Sequence, residues 1–213
     1  MPKKTGNNYC YFKGVRKMRK LLIPLITSML FLVSTTSVYC ASTGTWTVSV
    51  GIVEAEGTAL TITGASASLG YVVKNSSVIS ESGQRTIVKN TGGVAVTLQL
   101  KLTASPFTWS TGTVLNDVDV DKFVLATVFE NWEDTPVFSW FADDDVLTGD
   151  YKVAGTANGI FASPGTPDIA DGVQLAVGEE VSNFYFFNAP TSLTDTTKYG
   201  VQGNFTVQVT ASP

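Results

Sequence analysis

The chain has 213 residues with no histidine, two cysteines and a formal net charge of −4, from fourteen Lys plus Arg against eighteen Asp plus Glu. Without an imidazole there is no Ser-His-Asp or Cys-His catalysis, no His-ligated zinc and no histidine acid–base. An acidic balance repels nucleic-acid phosphate, so no nucleic-acid role is expected.

The first forty residues read as an export signal. Residues 1–20 carry seven basic residues and no acid; residues 21–33 (LLIPLITSMLFLV) are apolar; residues 34–42 (STTSVYCAS) are small and polar. That order is the one a secretory signal peptide has. The apolar run is shorter than the roughly 20 residues that a membrane-spanning helix needs. Met18, followed by Arg19-Lys20, is an alternative start to Met1. Cys40 is preceded by Tyr39, with Ser37 at minus three, a poor match to lipid attachment, so ordinary cleavage near Cys40 or Ala41 is expected. Residues 1–41 are thus read as signal peptide and 42–213 as one domain. Cleavage removes both cysteines, Cys10 and Cys40. It leaves seven basic residues against eighteen acids, a net charge of −11. The expected location is secreted, extracellular or at the cell surface, with the periplasm as the alternative, and no membrane attachment after cleavage.

From residue 46 onward the apolar period is two. Trp46, Val48, Val50 and Ile52 alternate with small or polar residues, as do Leu60 and Ile62. Such alternation marks strands with one buried and one wet face. Residues 84–89 end at the turn Asn90-Thr91-Gly92-Gly93, which reads as a hairpin. Val94, Val96, Leu98, Leu100 and Leu102 then share one face, opposite Thr97, Gln99, Lys101 and Thr103. Residues 123–129 (FVLATVF) and 184–187 (FYFF) are apolar on both faces and read as doubly covered central strands. Asn158-Gly159 and Asp171-Gly172 mark further turns. Val201, Phe205, Val207 and Val209 close the chain in alternation. The pattern predicts an all-β fold: a single antiparallel β-sandwich, immunoglobulin-like or jelly-roll, of about nine to ten strands. Its core is expected to hold Val96, Leu98, Leu100, Phe123, Leu125, Phe205 and Val207.

The remaining chemistry is sparse. No S-x-x-K and no phosphate-cradling glycine loop occurs, and nothing selects one carboxylate pair for glycosidase work. No enzyme is expected. Two acidic clusters are candidate calcium sites: Asp117, Asp119 and Asp121 at alternate positions, and Asp143, Asp144 and Asp145 in a row. Calcium takes six to eight oxygens; the competing reading is a pair of solvated loops. No other cofactor is expected. Trp109, Trp132 and Trp140 lie in or beside predicted loops, as a sugar-stacking platform or as anchors of the core. Asn75-Ser76-Ser77 and Asn204-Phe205-Thr206 fit the N-glycosylation pattern.

The segments GQRTIVKNTGGVAVTLQLKLT, FVLATVF, DDDVLTGDYKVA, FYFFNAP and NFTVQVTASP resemble small exported bacterial proteins with one immunoglobulin-like sandwich and no assigned activity. The asparagine-x-glycine turn and the alternating strand after it are also similar to TasA/camelysin-type matrix filament proteins. That second resemblance implies subunits joined by strand exchange, for which residues 46–53 are the candidate donor; the alternative is that they form the first strand of their own sandwich. The expected function is a secreted or cell-surface non-catalytic structural protein, a subunit of an extracellular assembly or filament. Its partners would be copies of itself or other surface proteins. The alternative is a glycan- or protein-binding module.

Overall fold

A computed structural model describes residues 43–52, 58–130, 136–155, 160–163 and 172–213. All lie in the unit Ser42–Pro213. The leader reading, with Cys10, Met18 and Cys40, falls outside the described residues, as do Val53, Trp132, the Asn158-Gly159 turn and Asp171.

Alternating sequences become strands here because each strand has one face to bury. The described residues form β1 (Thr43–Ile52), β2 (Leu60–Thr63), β3 (Ser66–Val73), β4 (Ser77–Ile79), β5 (Thr86–Asn90), β6 (Thr97–Ala104), β7 (Ser110–Thr111), β8 (Lys122–Glu130), β9 (Lys152–Val153), β10 (Glu180–Asn188) and β11 (Gly203–Ser212). Helical structure among the described residues is confined to three-residue 3-10 turns. One sheet runs β3-β1-β11-β6-β9. The other runs β2-β5-β10-β8-β7, with β4 also paired to β10. The fold is all-β and sandwich-like.

The core lies where the inner faces meet. Leu98, Leu100, Phe205 and Val207 from the first sheet are fully buried with Phe123, Leu125, Tyr185 and Phe187 from the second. Phe205 centres the packing, with ring centroids 4.9 Å from Phe123 and 5.2 Å from Phe187. All seven residues expected in the core are at 0% exposure. The same alternation fails at two turn positions, where Val94 and Val201 stand outside the strands and are exposed.

β8 and β10 are covered on both faces, as their unbroken apolar sequences require. Their outward residues Val124, Ala126, Val128, Phe184 and Phe186 form a second core with Leu115, Phe141 and Val146. Thr127 and Asn183, polar residues in these two strands, are satisfied in place. Thr127 Oγ1 shares its one proton between Asn183 Oδ1 and the Phe184 carbonyl, Asn183 Nδ2 donates to the Tyr185 hydroxyl at 3.1 Å, and that hydroxyl shares a 2.7 Å bond with Thr86 Oγ1.

Two expectations are corrected. The sheets are mixed, not purely antiparallel. β1 runs parallel to β11, with Trp46 opposite Gly203 and Ile52 opposite Val209, and β7 runs parallel to β8. No hairpin joins β1 to β11, so their direction is set by how the chain crosses between sheets. The Asn90–Gly93 turn is also no hairpin: β5 belongs to the second sheet and β6 to the first. Buried Asn90 makes the corner. Its Oδ1 accepts the Gly92 N–H at 2.9 Å, and its Nδ2 donates to the carbonyls of Val94 and Leu175, each at 2.8 Å. Gly92 fits there because a Cβ would stand 2.9 Å from the Ala59 nitrogen.

Candidate functional site

The structure does not bring the six candidate calcium ligands together. Each carboxylate, except that of Asp144, answers a local donor instead. Asp117 Oδ2 accepts the Thr113 N–H at 2.9 Å and its Oδ1 ion-pairs with Lys122, a bond that holds the Asp117 pKa below the usual range. Asp119 Oδ1 accepts the Val120 N–H, Asp121 Oδ1 the Thr194 N–H and Asp143 Oδ1 the Leu115 N–H. Asp144 contributes its carbonyl, which accepts from Lys152 Nζ at 2.8 Å. Asp145 is buried and accepts from Ala142 N at 2.7 Å and Phe161 N at 2.5 Å. Burial raises its pKa to about 7 against the pull of those two N–H groups. Among the described residues no three acidic side chains group so as to hold a metal. Backbone N–H groups that would otherwise be unsatisfied in loops claim the oxygens first.

Of the two roles expected for the loop aromatics, Trp109 takes that of core anchor. Trp109 is 7% exposed and packs against Phe107 (5.4 Å) and Phe123 (6.3 Å), so it anchors the core and offers no flat outer platform. Trp140 is half-buried, edge-on to Phe184 at 6.4 Å. Asn75 and Asn204 are both exposed.

A cleft opens where three loops meet. The β6–β7 loop brings Phe107, Thr108 and Trp109; the turn before β8 brings Asp121; the β10–β11 loop brings Thr194, Asp195 and Lys198. Its volume is about 540 Å³. The rim is tied together by backbone: Asp121 N donates to Ser192 O at 3.0 Å, and Thr191 N donates to Asp119 O at 3.1 Å. Asp195 accepts both the hydroxyl and the N–H of Thr197, which hold its pKa low. Lys198 Nζ lies 3.7 Å from Asp195 Oδ2 and 5.5 Å from the Phe107 ring centroid. Phe107 and Asp121 both hold left-handed backbone, φ 57° and 52°. Aspartate tolerates that region, but a bulky residue there costs about 1–3 kcal/mol.

The second feature is an edge. β3 pairs with β1 on one side, and among the described residues no strand pairs with its other side. Its eight residues (SASLGYVV) contain no charge and no proline. Tyr71 is 75% and Val73 43% exposed. The other terminal strands are short: β9 and β7 have two residues each and β2 has four.

Compared with known protein families and with curated proteins, the chain matches no family model and no curated sequence.

Sequence reasoning had singled out Trp109 and Asp121 at the cleft, for other roles, and missed Phe107, Thr194 and Lys198. The available signals were Pro106-Phe107 before a tryptophan and Asp195-Thr196-Thr197, an aspartate placed to accept from the N–H two residues on.

Proposed function

We propose that the chain is an exported, non-catalytic structural protein of the cell surface or its surroundings, and that its copies associate through the edge of the first sheet. The observation that carries this reading is β3. Proteins commonly protect sheet edges by shortening them, charging them or placing proline in them. β2, β7 and β9 are short, whereas β3 is long, uncharged and fringed by exposed Tyr71 and Val73. Two β3 edges meeting about a two-fold axis would satisfy each other's free backbone groups and pair identical surfaces.

Edge pairing is favoured over exchange of β1. β1 is hydrogen-bonded to β3 and β11 at once, and it carries the buried Val48 and Val50. Releasing it would open two edges and empty part of the core.

The test is sedimentation of the purified protein over a wide concentration range, beside a Tyr71→Lys/Val73→Lys variant. Both side chains point to solvent, so the variant should fold and melt as the parent does. The expected result is concentration-dependent association in the parent and a monomer in the variant. A parent that stays monomeric at high concentration, or a variant that associates equally well, sinks the reading. Export itself predicts that the protein recovered outside the cytoplasm begins near Ala41, which N-terminal sequencing reads directly.

A further inference from the structure

The cleft between the β6–β7 and β10–β11 loops carries polar groups that the fold uses only in part. Asp121 gives one oxygen to Thr194 N, and its Oδ2 makes no hydrogen bond among the described residues. Lys198 Nζ stands 3.7 Å from Asp195 Oδ2 with a ring beneath it, a loose pair on a partly exposed side chain. Thr108 and Thr194 are exposed at the mouth. The wall behind them is aromatic, with Phe107 edge-on to Trp109.

We propose that this cleft binds a neutral saccharide, with the C–H groups of one sugar ring against the part of Phe107 that lines the cleft beside Lys198, and its hydroxyls toward Asp121, Thr108, Thr194 and Lys198. Charge decides the ligand class. An anion would meet Asp121 and Asp195, and a cation would meet Lys198, already seated over the Phe107 ring. A purely apolar ligand would strip water from the free oxygen of Asp121 and from the Asp195–Lys198 pair without replacing it. Sugar hydroxyls both donate and accept, so one molecule can serve carboxylate, ammonium and threonine together while its C–H face covers an aromatic ring. The volume, about 540 Å³, lies in the range of small-ligand clefts, about 300–1,000 Å³. The strained Phe107 and the cross-tied rim place these groups before any ligand arrives, which lowers the ordering cost of binding. The inference is independent of pairing at β3, which uses other residues.

The experiment is saturation-transfer NMR on the purified protein with maltose, cellobiose, chitobiose and galacturonic acid at millimolar concentration. The expected result is transfer to the ring C–H protons of at least one neutral disaccharide and weaker transfer to galacturonic acid. Phe107→Ala and Asp121→Asn should each weaken binding tenfold or more. Asn suits the left-handed backbone and keeps the oxygen that Thr194 N needs, so Asp121→Asn reads the ligand contact even where Phe107→Ala disturbs the loop. No transfer to any neutral disaccharide overturns the proposal. So does binding that survives Asp121→Asn unchanged, or tighter binding of the acidic sugar than of the neutral ones.

Discussion

The carboxylate of Asp145 accepts the backbone N–H of Phe161 at 2.5 Å, and Phe161 holds a left-handed φ of 64° at 0% exposure. A bulky residue keeps that backbone only where its surroundings over-determine it. Asp145 fixes the nitrogen, and the edge-on contact with Phe129 at 6.1 Å fixes the ring.

Asp145 makes stability depend on pH. Burial raises its pKa from 3.8 to about 7. Between those values the folded chain keeps a proton that the unfolded chain has released. Its contribution is therefore fully present below about pH 4 and is lost as pH rises through about 7. Thermal melts across this window should show a larger fall for the parent than for Asp145→Asn, which cannot titrate. Parallel curves would remove Asp145 as the source.

Leu98 is fully buried near the start of β6. Leu98→Ala should destabilise the domain by about 2–5 kcal/mol, the range for a core leucine that leaves a cavity. An unchanged urea midpoint would put that face on the outside.

Asn90 satisfies one N–H and two carbonyls at the corner between sheets. Asn90→Ala leaves them without their partner and should cost about 1–3 kcal/mol. Asn90→Asp should fare no better, since it offers no donor to the carbonyls of Val94 and Leu175. Chemical denaturation of both variants reads this.

Tyr185→Phe should cost about 1–3 kcal/mol, because Thr86 Oγ1 and Asn183 Nδ2 lose a buried partner. Burial already holds the Tyr185 pKa above its ordinary value. Tyr185→Phe combined with Thr86→Val should recover part of the loss, which a denaturation series on the two variants would resolve.

Calcium at millimolar concentration should leave the melting temperature where chelator leaves it, because five of the six candidate carboxylates already answer local donors. A ligand bound to the folded state alone would raise it by mass action, so an upward shift would reinstate a site.

The strands were legible in the sequence because burial follows side-chain alternation residue by residue. Val96, Leu98 and Leu100 declared their inner face, and the double coverage of β8 and β10 was written in FVLATVF and FYFF. Pairing partners were less legible. The turn after Asn90 has hairpin composition, and only the distant carbonyl of Leu175 explains why it bends between sheets. The parallel partnership of β1 and β11 joins segments about 150 residues apart and leaves no local trace. The cleft was hidden for the same reason, since Phe107, Asp121 and Lys198 come from three loops. Trp109 sits among loop-forming residues, and of its two expected roles it fills that of core anchor, its ring turned inward to Phe123.

Lying parallel, β1 and β11 both begin at one pole of the sandwich and end at the other, so Thr43 and Ser212 stand at opposite poles. Tension applied through these two residues slides one strand along the other. The seven residue pairs of that ladder share the load and yield together, whereas a hairpin pulled from one pole opens pair by pair. Resistance to such pulling is governed by the rate of unfolding, not by equilibrium stability. Single-molecule stretching from Thr43 and Ser212 should therefore meet a higher rupture force than stretching across two neighbouring points on one pole. Linked end to end, such domains would behave as a cable.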